Sequence, residues 1–200
     1  MEKMKPLNEI YGKRFFAKRY KLHWRAPHVC KAIHDVLVPD SVVDVGCATG
    51  DLVQEWRQEF DIDSLGIEGD PSCLEFAVSD RILIHDLRVP IFKTSPYDLC
   101  TCFEVAEHIE PEYASVFVEN LIGLSDQILV SIAPPGQGGH YHVNCQPIEY
   151  WITLFWDRGY ILDGSTTLII KKGLEPWRKK DGIKAFYMNL AFFRRKCNER

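Results

Sequence analysis

The sequence has no C-x-x-C pair, no apolar run near the ~18 residues that a membrane span needs, no internal repeat and no low-complexity tract. Its seven cysteines, Cys30, Cys47, Cys73, Cys100, Cys102, Cys145 and Cys197, are scattered and odd in number. That pattern speaks against a disulfide framework and against a cysteine-only zinc site, so reduced thiols and a cytoplasmic location are expected. The opening stretch MEKMKPLNEIYGKRFF carries charges but no continuous apolar segment, and it does not read as a secretory signal. With no linker long enough to divide it, the chain is expected to form one domain over residues 1–200, with 1–38 as a helical N-terminal cap.

An apolar share of 46% and a charged share of 26% are those of a packed globular chain, which excludes wholesale disorder. The net charge of −4 conceals a segregation. Residues 1–31 carry nine Lys/Arg against two Glu, residues 171–200 carry ten Lys/Arg against three acids, and the stretch between holds five Lys/Arg against twenty-three acids. Basic ends around an acidic middle predict that the ends fold back on the body. The competing reading is a rim that attracts an anionic substrate.

From residue 41 onward, short apolar runs alternate with amphipathic stretches. Residues 41–46, 64–68, 81–85, 97–103 and 127–133 predict five strands. Residues 51–60, 71–78, 111–123 and 147–158 predict helices, with Asp70 as N-cap of the second and Gly123 closing the third. Residues 160–170 and 185–194 predict an antiparallel pair at one edge. Strands alternating with helices imply βαβ units. The expected fold class is therefore α/β, a doubly wound, mostly parallel seven-stranded sheet with an antiparallel edge pair, taking its ligands at the carboxyl ends of the strands.

A dinucleotide site would place G-x-G-x-x-G after the first strand. The sequence has Asp44-Val-Gly46-Cys47-Ala48-Thr49-Gly50 instead, a turn suited to a ligand with an amino-acid end. A strand–glycine–helix turn also arises by chance, but three further signals follow in order. Glu68 ends the second strand, where an acid can accept hydrogen bonds from both hydroxyls of a ribose. Asp86 and Leu87 follow the third, an acid for an exocyclic amine and an apolar side chain for a ring. Phe103 and Glu104 close the fourth.

The run from Ser41 to Ala133 resembles the class I S-adenosylmethionine-dependent methyltransferases, especially the group of ubiquinone-biosynthesis and small-molecule methyltransferases. The resemblance implies that Asp44, Gly46 and Gly50 surround the methionine part of the cofactor, with Cys47 in the same turn. It implies Glu68 on the ribose, Asp86 and Leu87 at the adenine, and Phe103 near the sulfonium, with Glu104 beside it. Ala48 departs from the third glycine of many members, but alanine is small. The implied activity is methyl transfer from S-adenosylmethionine to an oxygen of a small-molecule or carbohydrate-like acceptor, leaving S-adenosylhomocysteine. Two alternatives stay open: an RNA 2′-O-methyltransferase-like enzyme with a divalent cation, and a catalytically silent cofactor-binding or interaction protein. The missing G-x-G-x-x-G disfavours a nicotinamide enzyme.

An oxygen acceptor benefits from a base, and histidine is suited to that role near neutral pH. His108 and His142 are the catalytic candidates. His140, Asn144 and Tyr150 are candidates for orienting the acceptor, since the proline- and glycine-rich stretch 134–144 has the composition of a substrate loop. Glu104-Val-Ala-Glu107-His108 resembles the E-x-x-E-H of small-RNA terminal 2′-O-methyltransferases, which holds a divalent cation. The same spacing also starts a helix in relatives without a metal, so no metal ligand is assigned. Trp151, Phe155 and Trp156 have helical spacing and are expected in the core. Tyr11, Phe15, Phe16 and Tyr20 either close over the cofactor or pack a helix against the sheet.

Overall fold

Five strands run parallel: β1 (Ser41–Val45), β2 (Asp63–Glu68), β3 (Ile82–Ile84), β4 (Leu99–Phe103) and β5 (Gln127–Ser131). Two more, β6 (Tyr160–Leu162) and β7 (Leu190–Arg195), complete one sheet in the order β3-β2-β1-β4-β5-β7-β6, with β7 antiparallel to both neighbours. The chain steps outward from β1 to β3 and then returns to pair β4 with β1. That reversal opens a crevice at the carboxyl ends of β1 and β4. These relations come from a computed structural model, which describes residues 6–92 and 96–196. The first five residues of the expected cap, and Cys197, lie outside the described residues, and the six described cysteines are free.

The helices are α1 (Leu7–Ile10), α2 (Gly12–Tyr20), α3 (Ala26–Leu37), α4 (Asp51–Glu59), α5 (Ala114–Leu124), α6 (Ile148–Trp156), α7 (Gly164–Leu174) and α8 (Lys184–Asn189). Both faces of the sheet are covered, and the apolar runs show why. Successive side chains of a strand point to opposite faces. Val43, Val130 and Phe193 enter a core with Phe117, Trp151 and Phe155, while Val42, Leu129 and Phe192 enter the other with Trp56, Ile33 and Ile170. Each such fully buried side chain stabilises the fold by about 1.5–3 kcal/mol.

Several elements depart from the sequence expectation. Residues 71–78 contain a 3-10 stretch (Pro71–Phe76) rather than an α-helix, although Asp70 caps it as expected, accepting from Ser72 N. Gly123 does not close α5, which runs on to Leu124. The stretch 160–170 is strand only to Leu162. Asp163 then accepts from Thr166 N and starts α7, whose Thr167, Ile170 and Leu174 are buried at helical spacing. The strand propensity of Thr166, Thr167, Ile169 and Ile170 is thus overridden by the cap of the helix and by packing on α3, where Gly173 meets Ala32. Residues 185–189 are likewise helical before β7 begins.

The expected N-terminal cap divides in two. α3 buries Val29, Cys30 and Ile33 in the core beneath the sheet. α1 and α2 cross the carboxyl ends of the strands, held where Gly12 N donates to Asp70 Oδ2 at 2.9 Å. The basic ends do fold back on the acidic body through Arg25–Asp51 (2.8 Å), Arg194–Asp163 (3.2 Å) and Arg195–Asp126 (2.6 Å). Among the described residues, no helix is long and apolar enough to cross a membrane.

Candidate functional site

β1 ends in a turn whose geometry needs glycine. Gly46 has φ 75° and Gly50 has φ 77°, and a Cβ on Gly46 would overlap the Val105 side chain. Asp44, just before the turn, is buried and accepts from Thr101 Oγ1 at 2.7 Å, and burial pushes its carboxyl up to about 7. At the end of β2, Glu68 accepts three backbone N–H bonds, from Ala48 at 3.0 Å, Gly69 at 2.7 Å and Asp70 at 3.1 Å. Burial outweighs these bonds and raises Glu68 to about 7. Asp86 is pushed up by burial but more strongly held down by Arg88, whose Nη2 lies 2.7 Å from Oδ2.

These groups border a cavity of about 300 Å3 over the crevice. One wall is Gly46, Ala48, Glu68, Asp86 and Leu87; the facing wall is Phe103, Glu104, His108, His140 and His142. Tyr11, Phe15, Phe16 and Arg19 of the cap region also line it. The cap aromatics therefore divide: these three close over the cavity, while Tyr20 is exposed. His140 Nε2 lies 2.5 Å from Ile10 O and ties the loop after β5 to the cap.

The end of β4 is built differently. Glu104 has φ 55°, a left-handed conformation uncommon for a side-chain-bearing residue, and its carboxylate accepts from Gln137 Nε2 at 2.6 Å and Asn189 Nδ2 at 3.1 Å. Glu107 is fully buried, and neither carboxylate oxygen has a hydrogen-bond partner among the described residues. Burial, and then the charge of Glu104, raise it to about 8 against the weaker pull of the nearby backbone N–H groups of Glu107 and Ala133. His108 Nδ1 lies 3.2 Å from Tyr141 O, and His142 Nδ1 lies 3.1 Å from Gln137 O. A carbonyl only accepts, so each Nδ1 donates, and in the neutral ring Nε2 is the acceptor. His142 Nε2 is 3.9 Å from Glu107 Oε1, and the ligand atoms of Glu107, His108 and His142 lie within 4.8 Å of one another. Burial, then the neighbouring His142, lower His108 to about 4, so it is neutral at physiological pH.

Not every expected site residue reaches the cavity. Asp44, Cys47 and Gly50 stand behind its wall, where Cys47 packs against Gly66. Asn144 is buried, with its backbone N donating to Glu107 O at 3.0 Å, so it fixes the loop rather than facing the cavity. Tyr150 packs edge-on against Trp151, also away from the cavity. Trp151 and Phe155 are core residues as expected, but Trp156 is 56% exposed beneath Lys196. Sequence reasoning missed Arg19, Gln137 and Asn189. The Phe15–Arg19 spacing offered a signal for the first; the two amides gave none, because only the fold brings them to Glu104.

The strand order and the glycine turn at its switch point define a Rossmann-like ligand-binding fold. No protein-family model and no curated protein matches the sequence. Solved structures do match. The plantazolicin methyltransferase BpumL in complex with SAH aligns with a TM-score of 0.63 at 12% identity, over 92% of this chain and 90% of that chain. An O-methyltransferase family protein from Burkholderia thailandensis gives 0.64 at 12% identity, over 93% and 61%. The methyltransferase domain of bacterial CtHen1-CN gives 0.54 at 19% identity, over 70% and 87%. The chain has the fold of the class I S-adenosylmethionine-dependent methyltransferases.

Proposed function

We propose that this protein is a single-domain cytoplasmic methyltransferase that moves a methyl group from S-adenosylmethionine to an oxygen acceptor. The observation that carries the proposal is Glu68, a carboxylate oriented by three backbone N–H groups on the cavity wall beyond the glycine turn. Oε1 accepts two of these bonds and Oε2 one, which leaves an acceptor site open on Oε2 for a ribose hydroxyl. Gly46 admits the methionine part to the backbone, with Cys47 and Gly50 shaping the turn and the Asp44 carboxyl behind it. Leu87 and Asp86 take the adenine, and Phe103, almost fully buried, forms an apolar wall beside the sulfonium. BpumL, which shares the fold, was crystallised with SAH. When bound, S-adenosylmethionine supplies the methyl group on an electrophilic carbon. The chain's own task is alignment and exclusion of water, which the cap and the loop after β5 perform together.

The acceptor is placed between Glu104 and the histidines. His108 and His142 have their Nδ1 atoms engaged with carbonyls, which leaves Nε2 for it, and His140 fixes the loop to the cap. A small-molecule or carbohydrate-like hydroxyl suits this set. One observation favours a metal-assisted form of the same reaction: the partnerless Glu107 carboxylate faces two imidazoles whose Nδ1 atoms are already engaged. Glu107, His108 and His142 would hold a divalent cation, which would lower the pKa of a coordinated hydroxyl. The E-x-x-E-H resemblance keeps an RNA 2′-hydroxyl as the competing acceptor.

Calorimetry with S-adenosylmethionine, S-adenosylhomocysteine and NAD is the first test. Binding of both sulfur nucleosides without NAD is expected; a folded protein that binds neither overturns the proposal. Methyl-release assays over hydroxylated small molecules, sugars and RNA, with and without Mg2+, Mn2+ or EDTA, then identify the acceptor. No turnover on any of them, with the cofactor bound, favours a silent binding protein.

A further inference from the structure

We propose that Arg19 binds the α-carboxylate of the cofactor's methionine part. Resting on the methyltransferase reading above, the proposal adds a cofactor contact supplied by the cap rather than by the sheet. Three guanidinium groups line the cavity: Arg19, Arg25 and Arg88. Two of them are engaged. Arg25 Nε lies 2.8 Å from Asp51 Oδ2, and Arg88 binds Asp86 at 2.7 Å and Glu110 at 3.2 Å. Arg19 has no carboxylate within ion-pair distance among the described residues. Its guanidinium lies 4.7 Å from the centroid of the Phe15 ring, one helical turn earlier on α2. A largely desolvated cation beside a second cation is a position that an incoming anion stabilises.

Its surroundings indicate which anion. Arg19 is the penultimate residue of α2, which starts beside Asp70, where Gly12 N donates to Oδ2 at 2.9 Å, and leads on to Arg25, whose Nε lies 2.8 Å from Asp51 Oδ2. Asp51 is the first residue of α4, directly after Gly50. Arg19 therefore belongs to the glycine-turn end of the cavity, and Glu68 and Asp86 mark the nucleoside end. Of the acids around Arg19, Asp51 is held by Arg25, Glu104 by Gln137 and Asn189, and Glu107 faces His142, whose Nε2 lies 3.9 Å from Oε1. S-adenosylmethionine has a single anionic group, its α-carboxylate, and the acidic walls of the cavity would repel it everywhere else. A planar guanidinium can take a carboxylate through two parallel N–H bonds.

The test is calorimetric and needs no acceptor. Wild type, Arg19→Gln and Arg19→Lys are titrated with S-adenosylhomocysteine and with 5′-methylthioadenosine, a thioether nucleoside without the amino-acid part. Arg19→Gln is expected to weaken S-adenosylhomocysteine by about tenfold to a hundredfold, the worth of a charge-assisted hydrogen bond, and to leave 5′-methylthioadenosine unchanged. Arg19→Lys should recover part of the loss, because it restores the charge without the fork. S-adenosylhomocysteine affinity in Arg19→Gln within twofold of wild type overturns the assignment. Equal weakening of both ligands also overturns it, since it would show that Arg19 only supports the cap. Wild-type protein that binds neither ligand overturns the methyltransferase reading itself, and the assignment with it.

Discussion

Glu68 and Glu107 are both buried carboxylates at the carboxyl edge of one sheet, and both are raised well above their ordinary range, yet the chain treats them oppositely. Glu68 receives three backbone N–H bonds from the two loops that flank it. Among the described residues, Glu107 receives no well-formed bond at its carboxylate, only the approach of its own N–H and that of Ala133, although its carbonyl anchors Val143 and Asn144 at 2.9 and 3.0 Å. A carboxylate held by fixed donors is rigid and selects a ligand by the geometry of the one acceptor site left open. A carboxylate buried without donors is costly on its own and is stabilised when a proton or a cation arrives. The β1–β2 side is thus organised before any ligand binds. The β4–β5 side is left with unsatisfied acceptors.

The largest effect expected is on the organised side. Glu68→Ala should weaken S-adenosylhomocysteine binding a hundredfold or more, on the order of 3 kcal/mol, read by calorimetry; near-wild-type affinity would remove the ribose assignment. His142→Ala should reduce turnover on the true acceptor about tenfold to a hundredfold with cofactor affinity intact. Unchanged turnover would take the loop after β5 out of the reaction.

The contrast also has a pH signature. A carboxyl whose folded pKa exceeds its unfolded value of about 4.3 keeps its proton longer when folded. Its stabilisation is fully present below pH ~4.3 and is lost as pH rises through the folded value. With Glu107 raised to about 8 and Glu68 to about 7, metal-free protein should lose stability between pH 5 and pH 8. Glu107→Gln should flatten that slope and stabilise the fold at pH 8 by about 1–3 kcal/mol in urea denaturation. Addition of Mn2+ should raise the melting temperature of wild type and not of the variant. A variant with the wild-type pH slope would mean that Glu107 is satisfied after all. The smallest effect lies outside the site: Asp163→Ala removes the N-cap of α7 and should cost about 1 kcal/mol, with cofactor binding unchanged.

The parts of the site legible in the sequence are those fixed by local backbone chemistry. Gly46 and Gly50 announced a turn with left-handed residues, and Glu68, Asp86 and Phe103 each follow a strand visible as an apolar run. Stretch 160–170 reads as a strand because Thr166, Thr167, Ile169 and Ile170 favour one by propensity, whereas the packing against α3 that makes them helical is remote in sequence. Asn144 looked like a substrate residue because it is polar and in a loop. Its burial against Glu107 depends on a contact between segments 37 residues apart.

By itself, the sequence determined the strand–helix alternation, the glycine turn and the residues that end each strand, since these follow from periodicity and from the few residues that tolerate positive φ. The tertiary structure decided that α1 and α2 lie over the cavity while α3 lies beneath the sheet. It also decided that Glu107 meets His108 and His142, and that Arg19 has no carboxylate within ion-pair distance among the described residues. Those outcomes depend on which distant segments share a buried space, and burial and charge pairing act between neighbours in space rather than along the chain.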